Sequence, residues 1–536
     1  TSIENIHKVI NPLFLDDLYE EFQKIKNSTR NKNKNLLDFQ NKLSELKFFD
    51  PACGSGNFLT ESYISLRKLE NDILKEILQE KILLGDFDNP IKVSINQFFG
   101  IEINDFACAV AQTALWIAEL QMLNETQEII HKNLEPFPLK NFANIFEGNA
   151  LDLDWQKICP QPDFIFGNPP FVGKTFQTRE QKADIKKFFK NSSLDYVACW
   201  YKKTFEFLLY NNSAENNFCY TKIQCAFVST NSITQGEQVP ETFANTPIII
   251  NFAYRTFTWD SESTDKAHVH CVIIGFANFH RDKKIIFDGD KKIFAKNINF
   301  YLQDADNFFL YKRQKTLQNF IPKIFSGNRP TDNGNLLLTE DEKNILIEKY
   351  PDAEKFIKIC MGGKNFLHNE KRFCLWLVDA SPSEIKKIPP IYERIKKVRE
   401  FRLKSSAAPT RKSAEIPHLF QRIVQPKNNF LFIPQLSSEN RKYIPIGFFN
   451  SEIISLDPNL IIPDADLFLF GILESSVHMI FTKSFCGRLK SDFRYSATLI
   501  YNNFPFPEVE KNLRDKISAT AENILLARKN YPDSSL

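Results

Sequence analysis

The sequence predicts an α/β protein whose first part is a doubly wound sheet and whose second part is a loop-rich α+β domain. Three observations carry this. From Leu46 onward short apolar runs alternate with longer amphipathic ones, the pattern of strands and helices in turn. Glycine- and proline-bearing polar motifs fall at the ends of successive strands, where such sheets bind ligands. After about Phe279 the alternation stops, and aromatic, basic and proline-punctuated segments take over.

Taken in order, residues 1–45 place Ile6, Val9, Ile10 and Leu13 at helical spacing before the polar run NSTRNKNKN, which predicts helices and a solvated loop. The runs KFFD, QFFGIEI, NIFEGNAL and DFIFGNPP read as strands. Between the first of them lie two helical segments, FLTESYISLRKLENDILKEIL and FACAVAQTALWIAEL. A helix around Tyr201 to Tyr210 then precedes CAFVST, PIIINFAYRTF and VHCVIIGF, the last taken as the final strand. These boundaries suggest a helical segment over 1–45, a catalytic domain over 46–325, a second domain over 326–506 and a helical tail over 507–536.

With 536 residues the chain has room for two to four domains. A net charge of +3, from 68 basic and 65 acidic residues, does not announce a nucleic-acid partner, so the distribution of charge has to decide. The 10 cysteines form no C-x-x-C pair, which argues for a reducing, cytoplasmic setting and against structural zinc. His268, His270 and His418 are not spaced as a metal site either, and no metal is expected. No basic-then-apolar leader or membrane-length apolar run stands out, so no membrane association is expected.

The chemistry sits in four strand-end motifs. DPACGSGNFL, Asp50 to Leu59, puts a carboxylate and a tight Gly-x-Gly turn between a strand and a helix, where backbone can approach a ligand closely. It lacks the third glycine of a dinucleotide fingerprint and any Walker lysine. GIEIND offers Glu102 to two vicinal ribose hydroxyls, and GNAL offers Asn149 to a purine edge. Each alone is ordinary, since a turn, a solvated Glu and a turn asparagine are common. In series they suit an adenosine-containing cofactor with a free amino-acid end.

The fourth motif, GNPPF, places Asn168, Pro169, Pro170 and Phe171 beyond a buried strand. Two prolines remove backbone N–H donors and hold the tip extended, leaving the Asn168 side-chain carbonyl and a backbone carbonyl as fixed acceptors. That suits an exocyclic amine, and Phe171 can stack on its ring.

Together DPACGSGNFL, GIEIND, GNAL, GNPPF and VHCVIIGF resemble the gamma arrangement of amino-methyltransferases of DNA that act on adenine N6. More closely, GNPPFVGK, VHCVIIGF and CGRLKSDFRYS…YNNFPFP are similar to the MmeI-like, type IIL restriction-modification enzymes, from about Leu46 to Pro507. The resemblance implies a Rossmann-like class I methyltransferase domain with a mixed, mostly parallel sheet, a target-recognition domain, S-adenosylmethionine as cofactor and double-stranded DNA as partner. It implies that Asp50 and the loop Ala52, Cys53, Gly54 and Gly56 bind the methionine part. Glu102 would take the ribose, and Ile103, Asn149 and Ala150 the adenine, with Asn149 standing where Asp is usual. Asn168, Pro169, Pro170 and Phe171, the last in place of the commoner Tyr, would hold the flipped base. The nuclease metal motif typical of that family is not found here. The expectation is either a nuclease domain or subunit outside this chain or modification without cutting.

In the second domain, cationic residues dominate Lys386 to Arg422: Lys386, Lys387, Arg394, Lys396, Lys397, Arg399, Arg402, Lys404, Arg411, Lys412 and Arg422. A charge run is usually a solvated helix face, but a DNA-modifying neighbour makes phosphate contact the better reading. Arg488, Lys490 and Arg494 beside aromatics suit backbone or base-edge contacts. The alternatives are N4-cytosine methylation, methylation of RNA or a protein glutamine, and a non-catalytic DNA-binding specificity protein.

Overall fold

The computed structural model describes residues 2–79, 90–131, 134, 144–190, 193–211, 222–259, 269–489, 491–532 and 534–536. Cys219, His268 and Lys490 lie outside the described residues. The chain divides into two compact units, Thr1–Phe309 and Leu310–Leu536. The division falls ahead of the 325/326 boundary suggested by the change in composition.

The first unit opens with α1 (Ile3–Ile10), a π-helical turn at Asn11–Leu15, α2 (Asp16–Lys26) and α3 (Lys32–Glu45). These helices belong to the same core as the sheet. Phe14 sits 5.1 Å from Phe48 and 5.0 Å from Phe164, ring centre to ring centre, on two central strands. Ile6, Val9, Ile10, Leu13, Leu36 and Leu43 are buried with them.

Next come β1 (Phe48–Asp50), α4 (Asn57–Gln79), β2 (Phe98–Glu102), α5 (Asp105–Ile130), β3 (Asn144–Glu147), a short α6 (Trp155–Ile158) and β4 (Phe164–Gly167). They are followed by α7 (Arg179–Phe188), α8 (Ala198–Asn211), β5 (Gln224–Thr230), α9 (Gln238–Phe243), β6 (Ile249–Trp259) and β7 (Val269–Ala277). Two further strands, β8 (Lys284–Asp288) and β9 (Lys291–Ala295), complete a mixed nine-stranded sheet in the order β3-β2-β1-β4-β5-β7-β6-β8-β9. Its first five strands pair parallel, and β7 runs antiparallel between β5 and β6.

The last two strands extend the sheet past VHCVIIGF, the segment expected to end it. Asp288 pairs with Lys291 across a two-residue turn whose Gly289 has φ +57°. A Gly-Asp turn with glycine at its first position matches the twist of a tight hairpin.

By length and composition α5 is long and apolar enough to cross a bilayer, against the expectation that no such run is present. Packing accounts for part of its composition. Cys108, Ala111, Leu115, Ala118 and Met122 are buried in the unit's core, and Thr126 hydrogen-bonds Arg67 of α4.

The second unit is α+β. Three small sheets of four, four and three strands are interleaved with helices, including Pro389–Leu403, Leu467–Leu473 and Ser476–Phe485. The tail helix Lys511–Lys529 packs within this unit. A side chain at Gly471 would meet Ile517 at 3.0 Å and Ala521 at 3.1 Å, so the glycine permits that close approach.

Candidate active site

The order β2-β1-β4 makes β1 the switch point of the sheet, and the crevice beyond its carboxyl end is where ligands bind in such folds. Each strand there ends in one of the four motifs. Asp50 closes β1, with its Oδ1 accepting from the Ala52 amide at 2.9 Å. Gly54 follows at φ +55° with open space where a side chain would lie, and Gly56 at φ +81° leaves only 2.9 Å between such a carbon and Ala111 of α5. The second glycine therefore lets α5 close on the turn, while the first leaves the ligand side clear.

Glu102 closes β2. One of its oxygens accepts from the Gly54 amide and the other from the Asn104 amide, each at 3.0 Å. An ionised carboxylate has about four acceptor positions, so capacity for hydroxyl donors remains. Asn149 follows β3, and its carbonyl accepts from the Leu151 amide at 3.0 Å. Gly167 closes β4 in contact with Asp50: a Cβ there would fall 2.3 Å from Asp50 Oδ1. The first and fourth motifs thus touch because only glycine fits between them.

A cavity of about 520 Å³ joins these ends. Of the residues singled out in the sequence, Ala52, Gly54, Glu102, Ile103, Asn149, Ala150, Asn168 and Pro170 line it. Asp50 and Cys53 are buried and do not line it. Gly56 packs on α5, Pro169 is buried and Phe171 is half-buried against the sheet core rather than on the cavity wall.

Two buried oxygens here have no hydrogen-bond partner in the protein, Asn168 Oδ1 and Asp50 Oδ2. An unpaired buried acceptor costs about 1–3 kcal/mol. Asn168 Oδ1, on the cavity wall, therefore marks a place for a donor from outside the chain. Burial, opposed by the Ala52 amide and reinforced by Glu102, pushes the Asp50 carboxyl up to about 8.

The cavity is completed by residues that the sequence motifs did not single out: Thr178, Gln181, Asp184, Tyr196 and Trp200. Thr178 caps α7 reciprocally with Gln181, a T-x-x-Q signal that is readable in the sequence. Trp200 of α8 donates to the Pro51 carbonyl at 3.1 Å and braces the glycine loop from behind. Behind the tip, Asp195 accepts from the Val172 amide at 3.1 Å, and Tyr196 donates from its own amide to the Val172 carbonyl at 3.1 Å. The backbone immediately after Phe171 is thereby clamped on both sides.

In the second unit the cationic segment divides. Arg402 is 0% exposed and donates to the carbonyls of Pro330, Thr331, Ser413, Ile416 and Leu419, so it is a structural brace and not a phosphate ligand. Arg394 serves Asn335, Leu337 and Glu342, and Arg422 serves Gly327 and Asp457. Arg411 donates to the carbonyls of Ser405 and Ser406. Lys386, Lys387, Lys397, Arg399, Lys404 and Lys412 remain exposed. Arg488 stacks 4.4 Å from the Phe493 ring, and Arg494 is exposed on the same hairpin.

A switch-point crevice carrying an Asn-Pro-Pro tip, followed by a separate α+β unit, resembles the layout of two-domain DNA methyltransferases. Comparison with known proteins agrees. The family described as "MmeI, DNA-methyltransferase domain" matches residues 25–288, and "MmeI, target recognition domain" matches residues 304–508. The solved structure of the type IIL restriction-modification enzyme MmeI in complex with DNA is 44% identical, with a TM-score of 0.90 over 100% of this chain and 72% of that one. DNA methyltransferase A of Bacillus subtilis (strain 168) is 39% identical over 550 residues, covering 99% of this chain. The chain belongs to the MmeI family. It spans 60% of the length of the Bacillus relative. Methyltransferases of this kind generally use S-adenosylmethionine as methyl donor.

Proposed function

We propose that this chain transfers a methyl group from S-adenosylmethionine to N6 of an adenine flipped out of double-stranded DNA at a specific sequence, as the modifying part of a restriction-modification system. The observation that carries the reading is Asn168 Oδ1, a buried acceptor with no partner in the protein, on the wall of the cavity that the glycine loop and Glu102 also line. A base inside a duplex cannot reach such a tip, so the target has to leave the stack.

The residues fit the cofactor. The cavity volume, the open side of Gly54, the spare capacity of Glu102 and the unpartnered Asp50 Oδ2 each suit one part of it. The loop Ala52 to Gly56 would hold the methionine end with Asp50 beneath it, Glu102 the ribose and Ile103 a face of the adenine. When bound, the cofactor supplies an electrophilic methyl group on a sulfonium whose leaving group is a neutral thioether.

Asn168 accepts from the target amine and aims its lone pair, otherwise delocalised into the ring, at that methyl group. Pro169 and Pro170 bring no N–H to compete for the acceptor. The bond from Asn168 strengthens as the nitrogen gains positive charge, which lowers the barrier and not merely the binding energy. Asp195 and Tyr196 hold the tip in place through Val172. The exposed cations of the second unit suit a DNA backbone, and the described cysteines are all free and buried, in keeping with work in the cytoplasm.

The test incubates the protein with tritiated S-adenosylmethionine and mixed-sequence duplex DNA, then identifies the labelled nucleoside. Label in N6-methyladenine that disappears in Asn168→Ala is expected. Label in N4-methylcytosine would replace the target base and keep the mechanism. No transfer to DNA despite cofactor binding would overturn the proposal in favour of an RNA or protein substrate, or a non-catalytic specificity protein.

A further inference from the structure

We propose that Phe176, on the loop between the Asn-Pro-Pro tip and α7, is the wedge that enters the duplex where the target base leaves it and so holds that base out during methyl transfer. The inference rests on the DNA-modifying reading above and concerns the helix left behind, not the base in the cavity.

A base drawn out of a duplex loses its pair and leaves a gap in the stack, a cost the protein has to offset. A flat apolar side chain placed in the gap restores contact with the bases above and below it. Such a side chain has to lie uncovered in the free protein and stand at the mouth of the cavity. It also has to be held stiffly, so that insertion costs little conformational entropy.

Phe176 meets each requirement. Its side chain is 84% exposed, more than any other large apolar side chain among the described residues. Single exposed apolar groups are common, so its position matters more than its exposure. Asn168 and Pro170 before it and Thr178, Glu180 and Gln181 after it line the cavity, whereas Phe176 does not. The loop thus leaves the wall and returns to it, with Phe176 on the solvent side of the rim from which a base arrives. Phe171 cannot take this part, because it is half-buried against the sheet core.

The loop is anchored at its root. Gln177, 5% exposed, donates through Nε2 to the carbonyls of Val172 at 2.8 Å and Leu194 at 2.9 Å. The Phe176 amide donates to the Gly173 carbonyl at 2.9 Å and closes a tight turn. With Gln177 held inside, its neighbour Phe176 is turned out. Charge on the loop and the first turn of α7 fits the same partner. Lys174, Arg179 and Lys182 are exposed and form no ion pair among the described residues, and Glu180 is the carboxylate among them. Cations on both sides of an apolar group suit the phosphates that flank a base step.

The experiment first maps the site that the wild type methylates, by sequencing the methylated DNA. Duplexes carrying that site are then made with the target base either paired or mismatched. Single-turnover transfer from tritiated S-adenosylmethionine is measured on each at saturating protein. On the paired duplex Phe176→Ala is expected to lower the rate by about 10- to 100-fold, the scale of one base–aromatic stack. A mismatched base leaves the helix at less cost, so there the variant should come within about threefold of the wild type. Because the two proteins are compared on each duplex, any reading of the partner base cancels. Phe176→Trp, which keeps a flat face, should stay within about threefold of the wild type on both duplexes. Affinity for S-adenosylhomocysteine should be the same in all three proteins.

Equal losses in Phe176→Ala on paired and mismatched duplexes would overturn the inference. A side chain that stacks on the flipped base, or that only supports the loop, is needed however the base came out. A Phe176→Ala protein as fast as the wild type on the paired duplex would also overturn it and leave the methylation reading intact. If the wild type labels no DNA, that reading itself fails, and the inference with it.

Discussion

Asn168 and Asp50 at the strand ends of the first unit and Arg402 in the basic segment of the second treat their polar groups in opposite ways. Around the cavity, Asn168 Oδ1 and Asp50 Oδ2 are buried with no partner in the protein. In the second unit, the most deeply buried cation, Arg402, meets five backbone carbonyls. An acceptor left unsatisfied on a cavity wall, as Asn168 Oδ1 is, suits something that arrives from outside, whereas a group whose bonds are complete has been spent on the fold. The difference teaches that charge counted along a sequence measures neither. Arg402 lies between Arg399 and Lys404 in a run that reads as one basic face, yet only its neighbours reach solvent.

Five substitutions would break or sharpen that contrast, the first two at its poles. Arg402→Ala leaves several carbonyls without donors and is expected to destabilise the second unit by roughly 3–5 kcal/mol, read by urea unfolding. A change below about 1 kcal/mol would mean that water replaces the guanidinium, and that the arginine is not the brace described.

Asn168→Ala is expected to lower the methylation rate about 100- to 1000-fold, the scale for a donor or acceptor used mainly in the transition state. Cofactor affinity should stay within about threefold, because the contact is with the target base. Equal losses in rate and cofactor binding would show a structural residue instead.

Asp50 sharpens the same side through pH. Its carboxyl keeps a proton up to about 8 in the folded protein but releases it near 3.8 when exposed. Between those values the folded chain binds more protons than the unfolded one, so this group makes stability fall as pH rises from about 4 to about 8 and level off above. Asp50→Asn, which retains the acceptor for the Ala52 amide, should flatten that decline by an amount of the order of a few kcal/mol. Parallel stability–pH curves for the two proteins would contradict it.

The smallest effect belongs to the exposed cations. Arg399→Ala and Lys397→Ala should each weaken DNA binding by less than about tenfold and lower the slope of log affinity against log salt by about one. Stability should change by less than about 0.5 kcal/mol. If Arg402→Ala moved the salt slope and Arg399→Ala the stability, the two regions would have been assigned the wrong way round.

Much of the first unit is legible because each strand and its motif are contiguous in sequence. KFFD, QFFGIEI and DFIFGNPP coincide with β1, β2 and β4, and the sheet order brings their ends together. The hairpin of β8 and β9 lies beyond the alternation of strands and helices, and its Gly289-Asp290 turn is a local signal for it. The N-terminal helices read as a separate segment, since only packing reveals Phe14 against Phe48 and Phe164.

At the site, Asn149 illustrates the limit. Its residue type suggests an acceptor and donor together, but the Leu151 amide fills one of its two acceptor positions, and Asp152 and Asp184, the latter 35 residues on, face its nitrogen.

By itself the sequence determined which elements form, where glycine, proline and carboxylate fall relative to strand ends, and so what kind of ligand the first unit can receive. These follow from periodicity and backbone chemistry, which act over a few residues. The tertiary structure alone decided which polar groups are free. It closed the cavity with Asp184, Tyr196 and Trp200, left Asn168 Oδ1 without a donor and buried Arg402 among carbonyls. The physical reason is that a hydrogen bond is satisfied by whatever folds against it, and for Trp200 and Pro51 that neighbour lies 149 residues away.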